Sequence, residues 1–189
     1  MTEHQLMKAI AAGDSRAADE LYALYRRRVF KYLLGSLHNE DDALELTQDV
    51  LFRVCKKAGS FDGRAPLAAW IFRIARNRQV DHFRSRHFKA QQSSVEMGEH
   101  MIQLVEGSGS PERAMMQGEI FQRVQAAIAE LPDRQREVVR MRLLGELKLE
   151  EIAETIGLTS GGVKSTLHNA LRSLRLKLAD LERENYVAL

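Results

Sequence analysis

Residues 149–181 constrain the fold of this chain more tightly than any other stretch. Glu150, Glu151, Ile152, Ala153, Glu154, Thr155 and Ile156 read as a short helix, and Gly157 follows where a left-handed C-terminal residue would stop it. Leu158 and Thr159 complete a tight turn, with Thr159 or Ser160 placed to cap the next helix. From there Val163, Leu167, Ala170, Leu171, Leu174, Leu178 and Leu181 recur at a helical period. The other face carries Lys164, Ser165, His168, Asn169, Arg172 and Arg175, and no carboxylate occurs between Gly161 and Ala179. An ordinary surface helix mixes Glu among its basic residues. A helix that buries one face and offers amides, hydroxyls and cations on the other suits a DNA major groove.

The rest of the chain is also helical in pattern. Leu21, Leu24, Tyr25, Val29, Tyr32 and Leu33 share a face between Ala17 and Leu37. Leu44, Leu46, Val50, Leu51 and Val54 follow behind an acidic first turn in Asp41–Lys57. The loop Gly59-Ser60-Phe61-Asp62-Gly63-Arg64 precedes Pro66, where a further helix begins and runs from about Leu67 to near His87. Another helix opens at Pro111-Glu112, with Ile120, Val124, Ala127, Ile128 and Leu131 on one face, and Pro132 breaks it. Arg134–Leu144 makes one more, ending near Gly145. No window alternates as a strand would. Between these halves lie the polar runs Gln91-Gln92-Ser93-Ser94 and Gly107-Ser108-Gly109-Ser110, interrupted by Met101, Ile102, Leu104 and Val105. The expectation is an all-α protein of two small helical domains, residues 1–88 and 112–189, joined by a flexible linker over 89–111, with the C-terminal domain a helix-turn-helix.

Charge sharpens this division. The net charge is only +2, but six Lys or Arg against the single acid Asp81 lie between Arg73 and Lys89, and five acids with no base lie between Glu40 and Asp49. The segregation predicts two surfaces, one for an anionic and one for a basic partner. Arg73, Arg76, Asn77, Arg78, Arg84 and Arg86, interleaved with Phe61, Trp70, Phe72 and Phe83, suit single-stranded nucleic acid, in which cations track phosphates and unstacked bases meet aromatic faces. Trp70 itself reads better as core.

Catalysis is not indicated. The single cysteine, Cys55, excludes an internal disulfide and a thiolate metal cage, and its apolar neighbours make it a small core residue. Asp81-His82 stands without a second ligand cluster, the remaining histidines are scattered, and Gly161-Gly162 is too short for a phosphate loop. The expectation is a non-enzyme without cofactor or metal. No stretch reads as a membrane span or signal peptide, so a cytoplasmic location without membrane insertion is expected.

Together these segments resemble the extracytoplasmic-function class of bacterial sigma factors, within the sigma-70 family, from about Ala17 to Leu178. Asp42-Ala43-Leu44-Glu45-Leu46-Thr47-Gln48-Asp49-Val50-Leu51-Phe52-Arg53-Val54 is similar to the family's core-binding helix, and residues 61–77, from Phe61-Asp62-Gly63-Arg64 to Arg76-Asn77, to its promoter-melting loop and helix. Leu131-Pro132-Asp133-Arg134-Gln135-Arg136-Glu137-Val138, Glu151-Ile152-Ala153 and Gly162-Val163-Lys164-Ser165-Thr166-Leu167-His168 match the pattern of the second domain. The family often has Trp where Cys55 stands and Arg where Thr166 and Asn169 stand. The resemblance implies an alternative sigma factor. Leu46, Gln48, Asp49, Phe52 and Arg53 would bind core RNA polymerase. Phe61, Gly63, Arg64, Arg76, Asn77, Arg78 and Arg84 would hold and melt the −10 element as single-stranded promoter DNA. Lys164, Ser165, His168, Asn169, Arg172 and Arg175 would read the duplex −35 element. An anti-sigma factor is a further partner that the resemblance leaves open. Two rival readings, a dimeric helix-turn-helix repressor and a protein-only adaptor, leave the Arg73–Lys89 segment or both basic faces without a role.

Overall fold

The computed structural model describes residues 1–92 and 122–187, with side chains at 1–86 and 122–179. Among them there are helices and no strands. α1 (Glu3–Ala11), α2 (Ser15–Leu37), α3 (Glu40–Lys56), a 3-10 turn at Ala58–Ser60 and α4 (Leu67–Gln92) make one helical unit. The helical residues 122–129 (α5), α6 (Asp133–Leu143), α7 (Leu149–Ile156) and α8 (Ser160–Val187) make the other.

Helix starts follow local chemistry. Asp14 caps α2 by accepting from the Arg16 and Ala17 N–H groups, and the Asn39 amide oxygen accepts from the Asp42 N–H at the head of α3. The acids Glu40, Asp41 and Asp42 complement the positive end of that helix. α1 was not apparent from apolar spacing, although Thr2 and Gln5 form a reciprocal capping box at its start. It also completes α4: the Glu3 carboxylate accepts the Leu67 N–H at 3.0 Å, satisfying one of that helix's orphan donors.

α2 runs through the middle of the first core, with Leu21, Val29, Tyr32, Leu33 and Leu34 buried against Val50, Val54, Ile71 and Phe72. Trp70 lies partly buried against this core, and so does Cys55, whose thiol burial pushes above its ordinary value. In the second unit Ala127, Ile128 and Leu131 pack with Val139, Ala170 and Leu174. Two residues expected on buried faces turn outward: Leu24 and Leu171 are exposed.

α4 continues to Gln92, into the first residues of the expected linker, while residues 93–111 and the helix start at Pro111-Glu112 lie outside the described residues. The two units also meet directly. Val138, Met141, Leu147, Ile152, Ala153 and Val163 join the core built on α2 and α4. Polar composition of the linker carries no information about whether the flanking apolar faces fit one another. No described helix is long and apolar enough to cross a membrane.

Candidate nucleic-acid and polymerase interfaces

The helix-turn-helix forms as its sequence dictates. Gly157 takes φ 71°, the left-handed conformation that ends α7, and the Leu158 N–H returns to the Ala153 carbonyl. Thr159 Oγ1 accepts the Gly162 N–H at 3.1 Å, capping α8. Val163, Ala170 and Leu174 are buried, which turns the opposite face outward. Lys164, Ser165, His168, Asn169, Arg172 and Arg175 are all exposed on that face. None of them is engaged in an ion pair or hydrogen bond among the described residues. Thr166 is different: its hydroxyl donates to the Gly162 carbonyl at 2.8 Å, so it faces its own helix. The Lys177 ammonium meets the Glu130 carboxylate, tying α8 to the end of α5.

In the first unit, the acidic and basic segments bind each other. The Asp49 carboxylate accepts from Arg53, one turn along α3, and from Arg78 of α4 at 2.5 Å. Arg78 also meets Asp81, and Asp42 meets Arg86 at 2.6 Å with His82 beside it. Partial burial pushes the Asp49 carboxyl up, but the hydrogen bonds and charges of Arg78 and Arg53 outweigh it and hold it below its ordinary value. The Asp49 hydrogen bond in turn raises Arg78. Charge segregation along the chain therefore does not translate wholly into two free surfaces, because α3 and α4 pack with their opposite charges in register.

The residues assigned to polymerase divide accordingly. Gln48 and Phe52 are exposed, Phe52 at 59 % with the Lys56 ammonium 5.0 Å from its ring centre. Asp49 and Arg53 are half-buried partners of one another. Leu46, at 5 % exposure, turns into the core and offers no side-chain surface.

The residues assigned to the −10 element are also spread over several environments. Phe61 is 6 % exposed and packs on Trp70, with ring centroids 5.5 Å apart, so it supports the loop from beneath. Gly63 adopts φ 72°, and the Asp62 carboxylate accepts the Arg64 N–H, which fixes the turn that holds Arg64 in solvent. Asn77 and Arg84 are exposed. Arg76 and the neighbouring Arg73 reach the second unit: Arg76 lies 3.3 Å from Glu137, and Arg73 donates to the Glu154 carbonyl and carboxylate at 2.8 and 3.0 Å.

Sequence reasoning missed the residues that join the units. Arg28 of α2 donates to the Gly145 and Glu146 carbonyls at 2.9 and 3.2 Å while stacking near Tyr25 and Phe72. The Tyr32 hydroxyl donates to Glu137 at 2.8 Å. Burial, reinforced by Glu137, drives the Tyr32 phenol far above its ordinary value, so it stays a donor. Arg140 is buried beside them, and burial, with Arg136 adding to it, lowers its guanidinium. The one sequence signal for these partners was their polarity on otherwise apolar faces.

A helix-turn-helix beside a second helical unit with a basic helix is an architecture of DNA-binding proteins. Comparison with known proteins narrows this class. The Sigma-70 region 2 family profile matches residues 21–88 and the Sigma-70, region 4 profile residues 121–174. The ECF RNA polymerase sigma factor RpoE of Cereibacter sphaeroides is 35 % identical over 178 residues, covering 90 % of this chain and 91 % of the relative. SigW of Bacillus subtilis, another ECF RNA polymerase sigma factor, is 28 % identical over 179 residues, covering 93 % and 96 %. Among solved structures, the sigma factor RpoE of Bartonella quintana, in complex with the anti-sigma factor NepR, shares the fold with a TM-score of 0.68 at 24 % identity, covering 85 % of this chain and 96 % of that one. The chain belongs to the extracytoplasmic-function class of the sigma-70 family, the alternative sigma factors of promoter-specific transcription initiation.

Proposed function

We propose that this sigma factor binds core RNA polymerase through the exposed part of α3, reads the −35 element with α8, and captures the melted −10 strand with the Phe61–Pro66 loop and α4. The observation that carries the reading is the outer face of α8, where six polar or cationic side chains stand clear of the protein. Family membership supports the assignment of the other two surfaces. On α3, Phe52 and Gln48 are the exposed contacts, with Asp49 and Arg53 beside them. On α4, Asn77 and Arg84 face solvent, and Arg76 joins them once freed from Glu137. Arg78, clamped by Asp49, positions this helix rather than offering a free charge. Unstacking a base costs a few kcal/mol, so a surface that captures the extruded base stabilises the open duplex. An anti-sigma factor is proposed as a regulatory partner, on the strength of the Bartonella quintana complex.

The test divides α8 by role. Lys164, Ser165, His168 and Asn169 lie in its first turns, where recognition helices meet base edges, whereas Arg172 and Arg175 lie nearer the phosphates. In a promoter-library selection with the holoenzyme, His168→Ala or Asn169→Ala should change which −35 sequences are accepted, at about 1–3 kcal/mol per lost base contact. Arg175→Ala should lower affinity across all sequences and reduce the salt slope by about one. The reverse pattern would overturn the placement of α8 in the groove.

A further inference from the structure

We infer that α1 braces the loop that captures the melted strand, with Glu3 and His4 as positioning residues for promoter opening. The inference rests on the reading of the Phe61–Pro66 loop as the −10 capture site. α1 lies ahead of the residues 21–88 that match the Sigma-70 region 2 profile. It meets the loop and its flanks at three points. A Cβ at Gly59 would lie 3.8 Å from Ala11 Cβ, a Cβ at Gly63 would lie 3.3 Å from His4 Nδ1, and the Glu3 carboxylate accepts the Leu67 N–H at 3.0 Å. His4 also faces Phe61, with ring centroids 6.4 Å apart. The start, the tip and the end of the segment are thus seated on one helix.

These contacts supply what the loop lacks. The Trp70 N–H donates to the Pro66 carbonyl, which puts Pro66 at the cap of α4, and proline has no side-chain acceptor to offer there. The loop's own carboxylate, Asp62, is engaged by the Arg64 N–H. The first N–H of α4 is therefore satisfied by a residue 64 positions earlier. The Glu3 charge also stands at the positive end of that helix, where an anion is stabilising. At the tip, Gly63 holds φ 72°, and the atoms nearest to its missing Cβ both belong to the His4 ring. That ring limits how far the turn can move toward α1.

α1 is itself held firmly at both ends. Leu6, Met7 and Ile10 are buried in the first core, and the Thr2–Gln5 box fixes the first turn, where Glu3 and His4 lie. At the far end the Gly13 N–H donates to the Ile10 carbonyl at 3.0 Å and the Asp14 N–H to the Ala9 carbonyl at 3.1 Å, while Gly13 at φ 89° turns the chain into α2. Glu3 and His4 are exposed, so the core does not depend on their side chains. What they fix is the position of Gly63, Arg64 and the first turn of α4. A loop that holds its capturing geometry for a smaller fraction of the time binds the strand more weakly by that fraction.

The test uses the holoenzyme on a promoter taken from the library selection, with 2-aminopurine in the non-template strand of the −10 element reporting unstacking by its fluorescence. Glu3→Ala should reduce open complexes on the duplex about fivefold, the change that loss of one helix-cap acceptor produces in an equilibrium coupled to it. His4→Ala should act in the same direction. Both should leave transcription from a pre-melted bubble near the wild-type level, with polymerase co-purification and −35 preference unchanged. Glu3→Gln keeps an amide oxygen able to accept the Leu67 N–H, so it should restore most of the signal, which a purely electrostatic role of Glu3 would not allow. Wild-type open-complex yield in either alanine variant overturns the brace, as does a Glu3→Gln variant as impaired as Glu3→Ala, or equal loss on duplex and bubble templates. Arg64→Ala separates the two readings. If it shows the duplex-specific loss and Glu3→Ala does not, the brace alone fails; if it shows none, the capture loop is misplaced and the brace falls with it.

Discussion

Replacing Asp49 should loosen the joint between α3 and α4 before it affects any partner. The carboxylate serves two guanidinium groups of different value. Arg53 lies one turn away on the same helix with 42 % of its side chain exposed, so its share is about 0.3–0.5 kcal/mol. Arg78 joins from α4 with both side chains 29 % exposed, and a charge-assisted hydrogen bond in that partial shelter contributes about 1–2 kcal/mol. Arg78 retains Asp81 at 3.2 Å when Asp49 is removed, which keeps the loss toward the lower half of that range. Asp49→Ala should therefore destabilise by about 1–2 kcal/mol, a fall in melting temperature of roughly 2–8 °C for a chain of this length whose two units share a core. A double-mutant cycle with Arg78→Ala should return a coupling of about 1 kcal/mol. The pH dependence has a fixed sign. Because the folded carboxyl sits below its unfolded value of about 3.9, the stabilisation is complete above that pH and disappears as the pH falls through the folded value. Melting curves followed by circular dichroism should thus separate the wild type from Asp49→Asn at neutral pH and bring them together in acid. A difference below about 1 °C at pH 7, or one that never shrinks as the pH is carried down into strong acid, refutes the clamp.

Two further outcomes follow from exposure. Phe52→Ala should weaken co-purification with core polymerase while leaving the melting temperature unchanged, because its ring is mostly in solvent; co-purification at the wild-type level would remove α3 from the proposed contact. Asn77→Ala should reduce transcription from a duplex promoter far more than from a pre-melted bubble, whereas equal loss on both templates would indicate general phosphate binding.

What the sequence disclosed tracks the range of the interactions concerned. The α7 stop at Gly157 and the α8 cap at Thr159 depend on neighbours within four positions, and both were readable. So was the outward face of α8, because an amphipathic period reports burial directly. α1 passed unnoticed since its Leu6, Met7 and Ile10 make too short an apolar stripe, although its Thr2–Gln5 box was a usable signal. Asp49 and Arg78 are 29 positions apart, and Arg28 and Gly145 are 117 apart. No local pattern couples such pairs. Leu46 and Phe61, which the resemblance places on contact surfaces, are both buried; Leu46 shares the apolar face of Leu44, Val50, Leu51 and Val54, whereas Phe61 lies in a loop with no period to report its burial.

Four of the five arginines of α4, namely Arg73, Arg76, Arg78 and Arg86, face carboxylates of this same chain. Those acids act as built-in counterions. A nucleic acid approaching α4 exchanges phosphate for carboxylate rather than releasing salt ions from bare cations, and the entropy that ordinarily drives polyanion binding is correspondingly reduced. Contact with α4 is therefore less sensitive to ionic strength than its arginine content suggests. The outer face of α8, which carries no such internal counterions, is the part of the molecule whose grip on DNA responds to salt.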